Sequence, residues 1–115
     1  MFDSRKEARR YAELRMLEKC GKISDLELQK SFELIPAQYE PSTEVYKRGA
    51  NKGKLKQGKC IEKAVTYKAD FCYIDENGYT VVEDTKGYKR GGAYTVFVLK
   101  RKLMLFVHGI RIVEI

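Results

Sequence analysis

The chain of 115 residues carries 23 Lys and Arg against 16 Asp and Glu, a formal charge of +7; it is expected to be one domain that buries a core without staples, and its charge favours polyanionic partners over neutral ones. A hydrophobic share of 43%, with eight Tyr and five Phe, excludes a disordered chain, and three cysteines (Cys20, Cys60, Cys72) without a CxxC spacing exclude a disulfide framework or a zinc finger and suit a reducing compartment. The opening MFDSRKEARR has no apolar signal region and the longest apolar run, Leu103 to Val107, is far too short to span a bilayer, so a cytoplasmic protein with no membrane anchor is expected.

Ser4 and Glu7 form a capping box, after which Ala8, Tyr11, Leu14 and Leu17 recur at helical spacing until Gly21; the spacing predicts a helix from about Arg5 to Cys20. In DLELQKSFELIP, Leu26 and Leu28 are followed after an interruption by Phe32 and Leu34, which predicts one strand with a bulge or bend near Gln29 to Ser31, ended by Pro36. Residues 37–63 show no sustained period and are expected to form a basic, flexible insertion, either a mobile loop or a long hairpin excursion. From Lys47 to Lys63 seven basic residues face the single acid Glu62, so this stretch suits a phosphate backbone better than a core.

A hairpin follows, with strands Thr66 to Ile74 and Tyr79 to Lys86 around a turn at Asp75 to Gly78. Thr95 can cap a second helix from about Val96 to Val107, and Gly109 separates it from a last strand, IRIVEI. The order is α-β-β-β-α-β. A connection of about twenty residues before the last strand allows a crossover that sets it parallel to the third, giving an α/β fold with a four-stranded mixed sheet flanked by helices.

The returning strand reads TVVEDTKG. Side chains alternate along a strand, so Asp84 and Lys86 point the same way, about 6 to 7 Å apart, and Glu83 points to the other face. Asp70 joins them only if it pairs opposite Asp84, which requires a three-residue loop Glu76-Asn77-Gly78 with Gly78 in the left-handed conformation. A two-residue Asn77-Gly78 turn would set Asp70 opposite Thr85 instead. Two carboxylates beside one lysine suit Mg²⁺, which takes hard oxygen ligands and retains water, with a phosphodiester as substrate and the ammonium of Lys86 placed to orient water or offset developing charge. Mn²⁺ is expected to substitute. The single histidine, His108, leaves ββα-metal nucleases and zinc hydrolases without their side chains, and GANKGKLKQGK lacks the GK[ST] of a P-loop.

An Asp, a hairpin of this length and Asp-x-Lys on the returning strand, within this element order, resemble the PD-(D/E)XK (restriction-endonuclease-like) nuclease superfamily. More closely, FDSRKEARRYAEL, YKADFCY, VVEDTKG and TVFVLKRKL resemble a family of small phage and prophage proteins first catalogued as a domain of unknown function, and the likeness covers nearly the whole chain except the basic middle. The resemblance implies Asp70 and Asp84 as catalytic, metal-holding acids, Lys86 as the catalytic lysine and Glu7 as a further acid from the first helix, although Glu7 is also accounted for as a capping residue. It implies a secondary place for Gln29, with Glu83 as the competing acid. No proline precedes the first acid, since ADF stands where PD would.

Lys89 and Arg90 follow the active strand, and Lys52, Lys54 and Lys56 lie in the basic middle; all five are candidates for phosphate contact. Lys100 and Lys102 are two apart on a helix and cannot share one groove, and Lys100 is the one assigned to nucleic acid. The expected function is that of a Mg²⁺-dependent DNA endonuclease, with structure-selective cleavage of the Holliday-junction-resolvase kind as one form, in a bacterial host cell and as a homodimer. Nothing in the sequence separates DNA from RNA. The alternative is a non-catalytic nucleic-acid-binding or phage-assembly adaptor on the same fold.

Overall fold

The computed structural model describes residues 4–85 and 90–115. Helix α1 (Arg5–Lys19) starts where the Ser4 hydroxyl accepts the Glu7 amide at 3.1 Å, satisfying one of the free amides of the first turn. Strand β1 (Ser24–Ile35) is followed by two short strands, β2 (Gln38–Tyr39) and β3 (Cys60–Glu62), then by β4 (Val65–Ile74), β5 (Thr80–Asp84), helix α2 (Gly91–His108) and β6 (Ile112–Glu114). The main sheet has the order β1-β4-β5-β6, antiparallel except for the parallel β5·β6 pair. The expected α/β mixed sheet flanked by helices is present, with β2 and β3 as an addition.

The β4–β5 hairpin takes the three-residue loop. Phe71 pairs with Glu83 and Ile74 with Thr80, Asp75 donates its amide to Tyr79 at 2.9 Å, and Gly78 has φ 83°. A side chain at Gly78 would pay the left-handed penalty that glycine avoids. Continued by one rung, this register sets Asp70 beside Asp84.

Two apolar clusters cover the two faces of the sheet. Leu14 of α1 packs with Ile23, Phe71 and Tyr73, and Tyr11 stacks on Phe71; Phe97 and Met104 of α2 pack with Leu34, Tyr67, Ala69, Cys72, Val82 and Ile112. The β1–β4 ribbon changes faces at the rung of Gln29 and Asp70. Before it, Leu26 lies on the α1 side, and after it Phe32 and Leu34 lie on the α2 side; on β4, Tyr67 and Ala69 face α2 while Phe71 and Tyr73 face α1. Gln29 effects the change by adopting φ 54° within the strand. The expected bulge near Gln29 to Ser31 is therefore a left-handed residue without a register slip; the slips lie elsewhere, between Ser24 and Glu27 and between Glu33 and Ile35.

Helix α2 begins at Gly91, not near Val96, and Thr95 is no cap: inside the helix, its hydroxyl donates to the Gly91 carbonyl at 3.1 Å. The added turn forms because Tyr94 packs against the core and donates to Glu114 at 2.9 Å, while Arg101 bonds the same carboxylate at 2.9 Å. Gly109 closes the helix with φ 69°. His108 rests edge-on against Phe32 and lies 2.7 Å from the Glu33 carbonyl, a packing role.

Residues 37–63 form the hairpin excursion. Glu40 donates to the Lys59 carbonyl at 2.8 Å, Lys56 to Glu44 at 2.8 Å and Tyr46 to Lys54 at 3.0 Å, so the two arms of the segment run side by side. Its Tyr39, Val45, Tyr46, Leu55 and Ile61 are exposed. The molecule measures 55 × 36 × 27 Å with a radius of gyration of 19.2 Å, against about 13 Å for a compact chain of this length.

Glu83, only 2% exposed, is held from α1. Arg10 grips it with two bonds of 2.7 Å, and the Tyr73 hydroxyl donates to the same carboxylate. The carboxylate pushes the Arg10 pKa upward, and burial together with Glu83 pushes Tyr73 up to about 12. Replacing Arg10 by Met leaves a buried charge without its cation, and urea unfolding of that variant is expected to show a loss of about 3–5 kcal/mol.

Candidate active site

Asp70 and Asp84 enter the site from neighbouring strands of the sheet. Asp84 ends β5, 5% exposed, and its backbone is fixed by β6, since the Ile115 amide donates to the Asp84 carbonyl at 3.0 Å. Glu83 points away to Arg10, so alternation along β5 sends Asp84 to the α2 side. Asp70 stands at the rung where the ribbon changes faces. From there one carboxyl oxygen accepts the Thr85 amide at 2.8 Å and the Thr85 hydroxyl at 2.7 Å, and the other accepts the Gln29 amide at 3.3 Å.

Opposing influences act on Asp70. Burial disfavours its charge, but hydrogen bonding with Asp84, with the amide and hydroxyl of Thr85 and with Gln29 outweighs burial and holds its pKa below the ordinary value. The register sets the two acids side by side on neighbouring strands. They line an open cleft of about 340 Å³ together with Tyr67, Lys68, Ala93, Val96, Phe97 and Lys100.

Glu7 approaches from α1. It is buried, and its oxygen lies 3.4 Å from the Thr85 hydroxyl, which is itself 2.7 Å from Asp70. A hydroxyl has one proton, and the shorter contact to Asp70 takes it. Glu7 thus stands one side chain behind the acid pair. Among the described residues no three His, Cys, Asp or Glu side chains are grouped so as to hold a metal ion.

Of the remaining expected residues, Gln29 reaches the site directly and Lys100 lines the cleft. Lys102 lies elsewhere, beside Arg101, Leu105 and Arg111. Lys52, Lys54 and Lys56 are on the excursion, where Lys56 lies over the Tyr46 ring. Arg90 is exposed at the start of α2. Lys86 and Lys89 lie outside the described residues.

Sequence reading missed Thr85 and Tyr67. Thr85 sits directly after Asp84, where a polar residue at a strand end carries no periodic signal. Tyr67 is buried, 4% exposed, and lines the cleft beside both acids. Burial first, then the charge of Asp84 and hydrogen bonding with it, raise its pKa.

The depressed pKa of Asp70 fixes a sign. A carboxyl whose folded-state pKa lies below its ordinary 3.8 contributes stability above that pH and loses the contribution as pH falls through the folded value. Asp70→Asn is accordingly expected to be less stable than wild type at pH 7, with the gap closing below pH 3.8. Thermal melts of both proteins across acidic pH measure it.

No helix among the described residues is long and apolar enough to cross a membrane. No curated protein and no solved structure matches the chain. A family described as a protein of unknown function, DUF1064, matches residues 1–109. With 109 of the 115 positions inside that match, the chain belongs to the DUF1064 family.

Proposed function

We propose that this protein is a Mg²⁺-dependent endonuclease of the PD-(D/E)XK kind that hydrolyses DNA phosphodiester bonds, in the setting of phage DNA processing. The observation that carries the reading is the meeting of Asp70 and Asp84 at one open cleft that Lys68 and Lys100 also line. The donor set fits the metal. Two carboxylates in an open cleft supply hard oxygens while leaving most positions to water and phosphate, which suits Mg²⁺ better than a closed cage would. When bound, the ion would polarise the phosphate and lower the pKa of a water.

The protein's own groups would do the rest. Asp70 and Asp84 would hold the ion, with Asp70 kept ionised by Thr85 and Gln29. Glu7 would support the shell from behind Thr85. Lys100, on the cleft wall, would meet the backbone of the nucleic acid, and Lys86 would orient the attacking water or offset charge on the phosphate, as its place in the D-x-K pattern implies. Lys89, Arg90 and the lysines of the excursion would hold flanking phosphates, and two copies would serve to cut two strands.

The test is cleavage of labelled linear, nicked, flapped and four-way-junction duplexes, single-stranded DNA and RNA, in Mg²⁺, Mn²⁺ or EDTA. Expected is metal-dependent cutting by wild type and a loss of at least about 100-fold in Asp84→Asn and in Lys86→Ala. Salt-sensitive binding without any cutting, equal in wild type and both variants, would instead establish the non-catalytic adaptor. The excursion makes a separate prediction: replacing Lys52, Lys54 and Lys56 together by Ala should flatten the slope of log K against log salt by about 2.7 for duplex DNA. Titrations at several salt concentrations with the Asp84→Asn background read it.

A further inference from the structure

Residues two apart on a helix point about 200° from each other, so α2 turns Lys100 to the acid cleft and Lys102 to its other flank. On that flank α2 and β6 enclose a second hollow of about 340 Å³, lined by Arg101, Lys102, Leu105, Arg111, Ile112 and Glu114. It gathers three cations around one acid. Glu114 accepts Arg101 Nη1 on one oxygen and the Tyr94 hydroxyl on the other, both at 2.9 Å, which fixes the guanidinium in the wall. Lys102 and Arg111 are exposed, come from different elements and, among the described residues, are paired with no acid.

Resting on the nuclease reading above, we propose that Arg101, Lys102 and Arg111 form a second phosphate site, which holds the backbone of the nucleic acid on the β6 side of α2 while the acids act on the other side. A lone exposed lysine is ordinarily just solvated, but three cations converging on one hollow leave a surplus of two positive charges there and raise the local concentration of anions. Phosphate suits the donors. An arginine fork takes two of its oxygens and a lysine adds a point charge. Arg101 keeps donors for this purpose, since Glu114 takes Nη1 of a group with five N–H bonds. Among the described residues the lining has no aromatic ring and no amide side chain with which to stack on or read a base, so the ligand is a backbone phosphate and not a free nucleotide. A helix with its side chains is about 10–12 Å across, a width that a backbone covers in about three to four nucleotides. One substrate therefore reaches both flanks of α2.

The experiment titrates the full chain, in the Asp84→Asn background, with a labelled duplex and with a labelled mononucleotide at several salt concentrations, with and without Lys102→Ala and Arg111→Ala together. A control pair, Lys19→Ala and Lys22→Ala, removes the same charge at the other end of β5 from Asp84, where Lys22 lies 3.8 Å from Glu76. Expected for the duplex is a slope of log K against log salt flatter by about 1.8 when Lys102 and Arg111 are replaced, and an unchanged slope for the control pair. An unchanged slope without Lys102 and Arg111 overturns the inference. Equal flattening in the control pair overturns it too, since net charge alone would then account for the effect. Mononucleotide binding that is lost with Lys102 and Arg111 overturns the choice of a backbone ligand. Cutting by the wild-type chain, assayed alongside, separates the two readings: if the chain cuts and the slope does not change, only this inference falls. Absence of duplex binding at every salt concentration overturns both.

Discussion

Glu83 is a carboxylate placed inside a small protein, and the architecture around it follows from that. An ion this deeply enclosed persists only if its charge and its lone pairs are both answered. Arg10 answers the charge with a two-pronged bond from the second turn of α1, and Tyr73 supplies a third donor from the neighbouring strand. The pair thereby fastens α1 across the sheet and fixes the rotation of β5 about its own axis. Because successive side chains on a strand face opposite ways, a β5 held at Glu83 has no freedom left at Asp84. The acid that serves structure orients the acid that faces the cleft.

The site is equally dependent on a local irregularity. Had β1 and β4 kept one face throughout, Asp70 would project into the apolar layer or away from Asp84. The left-handed Gln29 turns the ribbon over at that rung, and its side chain then donates to Asp70. A conformation outside the comfortable range for a non-glycine residue is costly, and such positions gather where geometry is held for a purpose. Thr85 completes the arrangement: its hydroxyl donates to Asp70 on β4 while its oxygen lies 3.4 Å from Glu7 on α1.

Much of this was legible in the sequence because it was carried by short-range chemistry. The capping Ser4 fixed the start of α1, and Gly78 selected the three-residue turn that determines which residue Asp70 meets. What stayed hidden depended on distant partners. Gly91 and Gly92 precede the helix start expected near Val96, yet they are helical because Tyr94 has Glu114 to bond. The interruption after Leu28 pointed to a bend near Gln29 to Ser31, but that the bend sends Leu26 to one core and Phe32 and Leu34 to the other depends on the helices packed on each face. Residues 37–63 bury too little to produce a period, so loop and hairpin could not be told apart until their backbone bonds were seen.

The root of that long excursion has a further meaning. Ile35 and Val65 are register partners across β1 and β4, so the chain leaves the sheet and re-enters it at the same rung. The excursion's strands pair with each other and form a sheet of their own. At its base Gly58 passes so close to Glu40 that a Cβ there would lie 1.9 Å from a backbone oxygen, which marks the crossing as a fitted joint. The connection between β1 and β4 can therefore be shortened to a tight turn, or replaced by an unrelated ribbon, without moving a single rung of the sheet that carries Asp70 and Asp84. The excursion is thus separable from the sheet that places the two acids, and its length and sequence can change while the acids keep their positions.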